Sequence, residues 1–358
     1  MKITDIKMEK IRIQLTAPFR VTFATIDYSE NLLIKVCTDE GLEGYGEAAP
    51  LPFVTGETID SVVSVIEAMK PGLIGMDPLD IEKIHSLMDS VIHGNGSAKC
   101  AVDLAMYDLA GKKAGLPVYK LLGGYSNRVQ NDITIGISTP EAMAEEARQH
   151  VEKDGFHILK VKAGIHVEDD IRAMHLIREA VGPHIRLRVD ANQGYDVSDA
   201  VYAMDEFRKV GVEAVEQCLP AWDFEGAARV RSRARGIRVM LDESIHDHRD
   251  AARACSMGCA DTLNIKLMKC GGLFRASQIN SIAEAFGVNC MVGCMMETRL
   301  ATTAGVSLVA SKKNITEADC DSLLFYEDEQ TGMNGGFIRD NDIFTLLDRP
   351  GFGLDLSF

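Results

Sequence analysis

A strand-and-helix repeat of nearly constant length constrains this 358-residue chain more than any other feature. From residue 132 onward, short β-branched runs alternate with amphipathic helical patterns at intervals of 24 to 28 residues. The eight runs begin near Asp132, Ile158, Arg186, Ala214, Arg238, Thr262, Cys290 and Ile315. Eight strands, each followed by a helix, are typical of a (β/α)8 barrel of the α/β class. A doubly wound parallel sheet is the alternative, because strand count alone does not prove that a barrel closes.

The first third of the chain has a different pattern. Alternating apolar residues at 3–15, 31–36 and 44–47 predict a small antiparallel sheet. Helical patterns follow at 59–69, 78–91 and 98–113, and the glycine-containing tail is expected to fold back on this region. We therefore predict an α+β capping domain at 1–125, a barrel domain at 126–324, and a C-terminal segment at 325–358 that packs on the capping domain and completes it.

Charge and composition argue against several classes of partner. Lys and Arg number 38 against 53 Asp and Glu, so the formal net charge is −15. Such an acidic surface is unfavourable for binding nucleic acid or an anionic membrane. No apolar run approaches the roughly 20 residues that span a bilayer, and the charged N-terminus lacks the apolar core of a signal peptide. Nine scattered cysteines suit a reducing compartment, so we expect a cytoplasmic protein, and we expect it to form a homo-oligomer.

Polar side chains are concentrated at the predicted carboxyl ends of the barrel strands. Side chains two residues apart share one face of a strand, so Lys160 and Lys162 point the same way on the second strand. The other strand ends contribute Asp190 with Asn192, Glu216, Asp242, Asn264 with Lys266, and Asp319 with Asp321. In a (β/α)8 barrel these ends converge at one mouth, where the active sites of this fold lie.

The residue types indicate metal-assisted proton transfer. Asp190, Glu216 and Asp242 offer oxygen ligands with no His or Cys among them, which suits a hard divalent cation, Mg²⁺ first. Lys162 and Lys266 come from strands on opposite sides of that site, and a desolvated lysine beside another cation can act as a general base. The pair can move an α-proton from one face of a metal-bound carboxylate to the other through a metal-stabilised enolate. An inactive barrel used only for binding would show erosion of this set, and none is visible.

Several motifs resemble those of a known family. They are Gly-Tyr-Gly-Glu-Ala at 44–48, Leu-Lys-Val-Lys at 159–162, Val-Asp-Ala-Asn-Gln at 189–193, Asp-Glu-Ser at 242–244 and Asn-Ile-Lys-Leu-Met-Lys-Cys-Gly-Gly at 264–272. Over essentially its whole length the chain resembles the enolase superfamily, in the muconate lactonizing enzyme subgroup, and more narrowly the dipeptide epimerases related to L-Ala-D/L-Glu epimerase. The resemblance implies an isomerase that inverts the α-carbon of the C-terminal residue of a dipeptide, with one Mg²⁺ per active site.

The resemblance also assigns roles to individual residues. It implies that Lys162 and Lys266 are the acid/base pair and that Mg²⁺ binds Asp190, Glu216 and Asp242. For the substrate it implies contacts to Lys160, which also supports Lys162, to Met296, and to Asp319 and Asp321, which hold the α-ammonium group of the dipeptide. Asn192 and Asn264 are expected to contact the metal ligands rather than the metal itself and to hold those ligands in place.

One position departs from the pattern of the L-Ala-D/L-Glu epimerases. Those enzymes carry an Arg in the loop after the first strand, where it pairs with the glutamate side chain, and that position falls at Ala24 or Thr25 here. Arg20 lies earlier, and Phe23 offers apolar surface. We therefore predict that Ala24 and Thr25 contact the substrate and that its second residue is apolar or aromatic.

Other members of the superfamily supply the alternative function. An N-acylamino acid racemase, an o-succinylbenzoate synthase or a lactonizing enzyme would use the same lysines and the same metal. Asp319 and Asp321 argue against these three, because their substrates lack the ammonium group of a dipeptide.

Overall fold

The computed structural model describes residues 1–356, and the chain begins with a long antiparallel hairpin. Its strands are β1 (Ile3–Val21) and β2 (Ala24–Thr38), and β3 (Glu43–Ala48) pairs with β2 to complete a three-stranded sheet. Because side chains alternate along a strand, one face of this sheet is apolar and buried. This is the antiparallel sheet that the alternation in the sequence predicts.

Five helices follow this sheet, and the second, third and fourth of them cover its buried face. They are α1 (Pro52–Thr55), α2 (Ile59–Leu73), α3 (Ile81–Val91), α4 (Gly96–Ala114) and α5 (Val118–Leu121). The glycine at position 46 allows β3 to lie directly on α4, because a Cβ atom there would lie 1.8 Å from the carbonyl oxygen of Ala101. The next residue, Glu47, is thereby brought deep between the N-terminal sheet and the rest of the molecule.

Parallel strands then alternate with helices, as predicted. After the short strand β4 (Arg128–Gln130), the parallel strands are β5 (Ile133–Ile135), β6 (Ile158–Lys162), β7 (Arg186–Asp190), β8 (Val212–Glu216), β9 (Arg238–Leu241), β10 (Thr262–Lys266), β11 (Asn289–Gly293) and β12 (Ile315–Asp319). They neighbour one another in strict chain order in an eight-stranded sheet. The barrel-type prediction is confirmed, and the doubly wound alternative is wrong because that fold requires the strand order to reverse.

Helices pack around the outside of this sheet. They are α6 (Pro140–Glu152), α7 (Val167–Val181), α8 (Val197–Phe207), α9 (Phe224–Arg233), α10 (His248–Met257), α11 (Leu267–Cys270), α12 (Leu273–Ala285) and α13 (Arg299–Ser311). Single 3-10 turns occur at Arg208–Val210, Ser322–Leu324 and Asp328–Thr331. Within the part of the chain that the structure describes, none of these helices combines the length and the apolar character needed to cross a bilayer.

The first and last strands of the barrel meet through side chains. The Asn131 side chain accepts a hydrogen bond from the Cys320 N–H at 2.8 Å, and the Asp321 carboxylate accepts one from the Thr134 N–H at 2.8 Å. The Thr134 hydroxyl lies 3.4 Å from Asp319 Oδ1. These contacts join β5 to the end of β12, so the seam of the barrel lies beside the predicted ammonium-binding residues.

The C-terminal segment forms short strands and packs on both earlier parts of the chain. They are β13 (Asn334–Gly335), β14 (Phe337–Asp340), β15 (Ile343–Leu346) and β16 (Leu354–Asp355). β15 pairs with β14 and with β4. The carbonyl of Phe325 accepts a hydrogen bond from the Thr16 N–H, and the Asp108 side chain accepts one from the Phe352 N–H. The segment therefore contacts the N-terminal sheet, helix α4 and the entrance to the barrel.

Candidate active site

The polar strand ends meet inside the mouth of the barrel. Lys162 is the register partner of Asp190 on the next strand, and Asp190 is the register partner of Glu216 on the strand after that. Asp242 follows the end of β9 directly, and Lys266 ends β10. All five side chains are buried. The sequence therefore predicted correctly which strand ends converge.

Ion pairs connect the first two carboxylates to the lysines of β6. The ammonium group of Lys160 lies 3.1 Å from Asp190 Oδ2, 3.0 Å from Glu216 Oε2 and 2.7 Å from Asp319 Oδ2. Lys162 lies closer to the mouth and contacts Asp190 Oδ2 at 2.7 Å. Burying charges is costly unless they are paired, so this network keeps both lysines and all three carboxylates in defined positions.

The opposite side of the site is organised around Asp242. Its Oδ2 atom lies 2.9 Å from the ammonium group of Lys266, and its Oδ1 atom lies 2.5 Å from that of Lys269. The side chain of Lys269 is completely buried and also contacts the carbonyl oxygens of Asp242 and Asn264. No role was predicted for Lys269, although it lies three residues after Lys266 in the same motif.

The charges around Asp190 and Lys266 shift the pKa of each group in the direction that favours its charged form. Burial alone would raise the pKa of Asp190, but Lys162 and Lys160 outweigh it and lower that pKa to about 2. Burial likewise opposes the charge of Lys266, yet the carboxylates of Asp242, Glu216 and Asp319 together outweigh burial and raise the pKa of Lys266 above its ordinary range. We expected reduced proton affinity for a lysine beside a cation. The carboxylate charge determines the opposite direction here, and a cation bound to the same carboxylates would act against it.

Several buried oxygen atoms around the carboxylates lack a hydrogen-bond partner within residues 1–356. They are Asn192 Oδ1, Glu243 Oε2 and Asn264 Oδ1. The Asn192 amide donates to Asp190 and Glu243 at 3.4 and 3.2 Å, and the Asn264 amide donates to Glu216 at 2.6 Å. A buried acceptor without a donor is unfavourable unless another group reaches it. A site that combines carboxylates with spare oxygen acceptors fits a hard divalent cation.

The loops after the strands hold strained backbone. Asn192, Gln193 and Gln217 have φ angles of 40°, 70° and 37°, a left-handed conformation that non-glycine residues seldom adopt. The Gln217 side chain accepts hydrogen bonds from the backbone N–H groups of Asp242 and Ser244, at 2.9 and 3.2 Å. It therefore fixes the loop that presents Asp242. Neither Gln217 nor Glu243 was predicted to belong to the site, since this contact depends on where two loops meet.

A second acidic group lies at the seam of the barrel. Asp132, Asp319 and Asp321 are buried, and one carboxylate oxygen from each lies within 4.8 Å of the others. Asp132 pairs with Arg188, while Cys294 donates its thiol hydrogen to Asp321 across 3.6 Å. Burial raises the pKa of Asp321, and the neighbouring Asp319 raises it further. The predicted pair therefore forms a concentrated negative site that a cationic group would stabilise.

These groups open into one pocket that has apolar walls. The pocket holds about 610 Å³ of space, part of it open to solvent. Its polar lining is Lys160, Lys162, Asn192, Asp242, Glu243, Lys266, Asp319 and Asp321, and its apolar lining includes Phe19, Val21, Phe23, Ile26, Leu51, Val54, Met295, Met296 and Phe325. The predicted metal ligands Asp190 and Glu216 lie below this surface, where they contact Lys160.

The hairpin turn of β1 and β2 forms part of the apolar wall through Phe23, which the sequence indicated as apolar surface, and not through the predicted Ala24 and Thr25. Phe23 lies at the turn, and its ring centroid is 6.0 Å from that of Phe53 in α1. Among the described residues, Ala24 and Thr25 are not part of the pocket lining. Thr25 is the register partner of Arg20, and alternation puts these two side chains on the face of the hairpin opposite to Val21 and Ala24. Arg20 is exposed and lines a separate cleft with His166 and Asp170.

Comparison with known proteins agrees with this geometry. The family described as "Mandelate racemase / muconate lactonizing enzyme, N-terminal domain" matches residues 3–123, and "Enolase C-terminal domain-like" matches residues 142–357. A hydrophobic dipeptide epimerase of Enterococcus faecalis is 44% identical over 356 residues, which cover 99% of each chain. An L-Ala-D/L-Glu epimerase of Clostridium acetobutylicum is 40% identical over 358 residues, again 99% of each chain.

A solved structure extends the similarity to three dimensions. The crystal structure of the dipeptide epimerase from Enterococcus faecalis V583, complexed with Mg and the dipeptide L-Leu-L-Tyr, matches with a TM-score of 0.97 at 42% identity. The match covers 99% of this chain and 100% of that chain. The kinship predicted from the motifs is confirmed: the chain is an isomerase that belongs to the mandelate racemase / muconate lactonizing enzyme family of the enolase superfamily.

Proposed function

We propose that this protein is a Mg²⁺-dependent dipeptide epimerase that inverts the α-carbon of the C-terminal residue by two-base proton transfer. The observation that carries the proposal is the arrangement of Lys162 and Lys266. They end β6 and β10, which lie four strands apart in an eight-stranded barrel, and both line the same pocket. Each is held by a carboxylate, Asp190 on one side and Asp242 on the other.

The cation would be held by Asp190, Glu216 and Asp242. The oxygen-only donor set and the unpartnered acceptors beside it support this assignment. When bound, Mg²⁺ supplies positive charge that stabilises negative charge developing on the substrate carboxylate. In the Enterococcus faecalis structure, the relative is complexed with Mg and a dipeptide.

The two lysines would exchange roles between the two directions of the reaction. In one direction, neutral Lys162 removes the α-proton from one face, and the ammonium group of Lys266 delivers a proton to the opposite face. In the reverse direction Lys266 is the base and Lys162 is the acid. One proton leaves the α-carbon and one returns, so no further reactant is needed. The neighbouring carboxylates keep both amino groups directed into the pocket.

Asp319 and Asp321 would hold the N-terminal ammonium group of the dipeptide. Both are buried and line the pocket, and the N–H of Thr134 and the thiol of Cys294 orient Asp321. An ammonium group that leaves water needs a compensating negative charge, and an acidic pair supplies it. An N-acyl substrate has no such group, which disfavours the alternative function within the superfamily.

An apolar or aromatic second residue would fit the remaining wall best. Phe19, Phe23, Val54 and Met296 line this part of the pocket, while Arg20 faces a separate cleft. The cations of the pocket, Lys160, Lys162 and Lys266, are each paired with a carboxylate. A buried glutamate side chain would therefore lack a free partner, and burying its charge would cost several kcal/mol. The relative from Enterococcus faecalis is itself named a hydrophobic dipeptide epimerase.

The division into parts at 1–125, 126–324 and 325–358 remains our proposal. The β1–β3 sheet and helices α2, α3 and α4 share one buried apolar cluster, which supports the first part. The contacts of Phe325 with Thr16 and of Phe352 with Asp108 support packing of the third part on the first.

Proton NMR in D₂O with a dipeptide panel tests the function directly. We expect loss of the α-proton signal of the second residue together with appearance of the other epimer. N-succinyl amino acids serve as the comparison set, since they retain the reacting carbon but lack the ammonium group. Exchange in N-succinyl amino acids without exchange in any dipeptide would assign the protein to the alternative function.

A further inference from the structure

Among the barrel helices of ten or more residues, two differ from the others in how their N-termini are stabilised. The N-terminus of a helix carries partial positive charge and unpaired N–H groups, so an acidic residue there is stabilising. Helices α6 to α10 each have an acidic residue in their own first turn. These residues are Glu141, Glu168, Asp199, Glu225 and Asp250. Helices α12 and α13, which lie wholly within the described residues, have no acidic residue in the first turn.

The N-terminal part of the chain supplies the missing charges. Asp103 of α4 accepts hydrogen bonds from the N–H groups of Leu273 and Phe274, at 2.5 and 3.3 Å, at the start of α12. Glu47 of β3 accepts hydrogen bonds from the N–H groups of Thr298 and Ala301, at 2.7 and 3.0 Å, at the start of α13. Both carboxylates are completely buried.

Glu47 acts on a segment that forms part of the pocket wall. Its Oε2 also accepts the Thr298 hydroxyl hydrogen at 2.5 Å, and its Oε1 accepts a hydrogen bond from the Asn31 amide at 2.7 Å. The same Asn31 amide donates to the carbonyl of Met296 at 2.8 Å, and the Ser29 hydroxyl lies 3.1 Å from that carbonyl. Met296 lines the pocket. A continuous hydrogen-bonded chain thus leads from β2 and β3 to the wall.

We propose that Glu47 and Asn31 are positioning residues that determine side-chain specificity by fixing the Met295–Met296 wall from the capping domain. This inference rests on the proposed function, because the wall matters only if a substrate side chain packs on it. Neither residue lines the pocket, so their effect is exerted through the backbone at Met296 and the start of α13. Asp103 is the natural comparison, since the segment before α12 at 267–272 does not line the pocket among the described residues.

Glu47→Gln tests the proposal with a minimal change of shape. A glutamine amide must turn one NH₂ group toward a donor, so at least one hydrogen bond to Asn31 or Thr298 is replaced by repulsion. We expect amide hydrogen exchange across 294–301 to accelerate about tenfold, as for a lost charge-assisted cap. With L-Ala-L-Val, L-Ala-L-Leu and L-Ala-L-Phe, we expect KM to rise by up to about tenfold and by different factors, so that the relative kcat/KM values of the three dipeptides change, while kcat changes less than about threefold. Glu47→Asp, which keeps the charge, should restore part of the loss.

Asp103→Asn is the matched control. It removes a buried charge at a helix N-terminus in the same way, so it should lower Tm and accelerate exchange near residue 273. The relative kcat/KM values for the three dipeptides should stay as in the parent. Equal kinetic changes in both variants, or unchanged exchange at 294–301 in Glu47→Gln, would overturn the proposal. If the parent acts on no dipeptide, the proposed function fails, and the exchange measurement still decides whether Glu47 holds the wall.

Discussion

Lys162 and Asp190 are register partners on neighbouring barrel strands, and the ammonium group of Lys162 lies 2.7 Å from Asp190 Oδ2. Lys266 forms a similar ion pair with Asp242 on the far side of the pocket, at 2.9 Å, although these two residues are not register partners. Each lysine is thus held by a residue that the donor chemistry assigns to the cation. Changes at the lysines and at the carboxylates are therefore expected to have different consequences for proton transfer and for metal binding.

Replacing either lysine should abolish epimerisation. A general base typically contributes ~10²–10⁴-fold in rate, so Lys162→Ala and Lys266→Ala should each lose at least ~10²-fold in turnover. Each variant should still exchange the α-proton of one epimer slowly through the remaining lysine, as measured by NMR in D₂O. The exposed Lys209→Ala variant is the control. Near-normal turnover in both directions by either active-site variant would contradict the two-base assignment.

Activity should depend on a divalent cation bound by Asp190, Glu216 and Asp242. EDTA should remove activity, and Mg²⁺ should restore it. Binding should also raise Tm, because a ligand at 100 times its Kd stabilises the folded state by about 2.7 kcal/mol. Asp190→Asn should weaken both the activation and the shift in Tm, whereas the surface variant Asp60→Asn should leave both unchanged. A fully active chelated enzyme would exclude the proposed role of the metal.

The acidic pair at the seam should control recognition of the dipeptide ammonium group. Hydrogen bonds to charged groups contribute about 1.5–3 kcal/mol, so Asp321→Asn should raise KM by roughly 10–150-fold, with a smaller change in kcat. The comparison is between L-Ala-L-Phe and N-acetyl-L-Ala-L-Phe, which lacks the charge. If the variant lost both substrates equally, Asp321 would serve the barrel seam rather than the ammonium group.

The side chain of the second residue should be apolar or aromatic. We expect kcat/KM for L-Ala-L-Phe and L-Ala-L-Leu to exceed that for L-Ala-L-Glu by at least tenfold, because the residues at 1–356 that line the pocket offer no unpaired cation to a glutamate side chain. Arg20→Ala should leave this ratio unchanged, since Arg20 faces a separate cleft. A preference for L-Ala-L-Glu that disappears in Arg20→Ala would show that Arg20 enters the pocket.

Glu297 should give the protein a measurable pH dependence of stability. Burial and the nearby Glu47 raise the pKa of Glu297 from 4.5 to about 8. Between these values the folded state keeps the proton and the unfolded state loses it, so stability decreases as the pH rises. The free energy of unfolding of Glu297→Gln minus that of the parent should therefore be roughly 2–4 kcal/mol larger at pH 8 than at pH 5. Urea denaturation at both pH values measures this difference, and an equal effect at both would contradict it.

The barrel was predictable because its strands alternate with helices at a steady interval. The predicted strand starts at Ile158, Arg186, Thr262 and Ile315 coincide with the observed ones. The convergence of Lys160, Lys162 and Asp190 was equally predictable, since side-chain period and strand order determine it. Strand positions and the face to which each side chain points can be predicted because both depend on residues that are close together in the sequence.

Contacts between distant loops were not predictable in the same way. At the turn of the β1–β2 hairpin, Phe23 lines the pocket and Ala24 does not, although Ala24 is the register partner of the pocket-lining Val21. The contact of Glu47 with Thr298 joins residues 251 positions apart. Such contacts depend on how one part of the chain is oriented on another, which no local pattern encodes.

The contacts between β5 and β12 that we describe involve side chains, whereas the other neighbouring strands of the barrel pair through their backbones. The Thr134 N–H is bound by the Asp321 carboxylate, which also faces the pocket. A cation bound there would interact with the same Asp321 carboxylate whose hydrogen bond to Thr134 joins the first strand to the last. Binding energy at this point therefore also resists opening of the ring, since any ligand specific for the folded state shifts the unfolding equilibrium. The ligand-bound and ligand-free forms should therefore differ most in how often β5 and β12 separate locally. The bound ligand would stabilise the barrel at the point where its first and last strands meet.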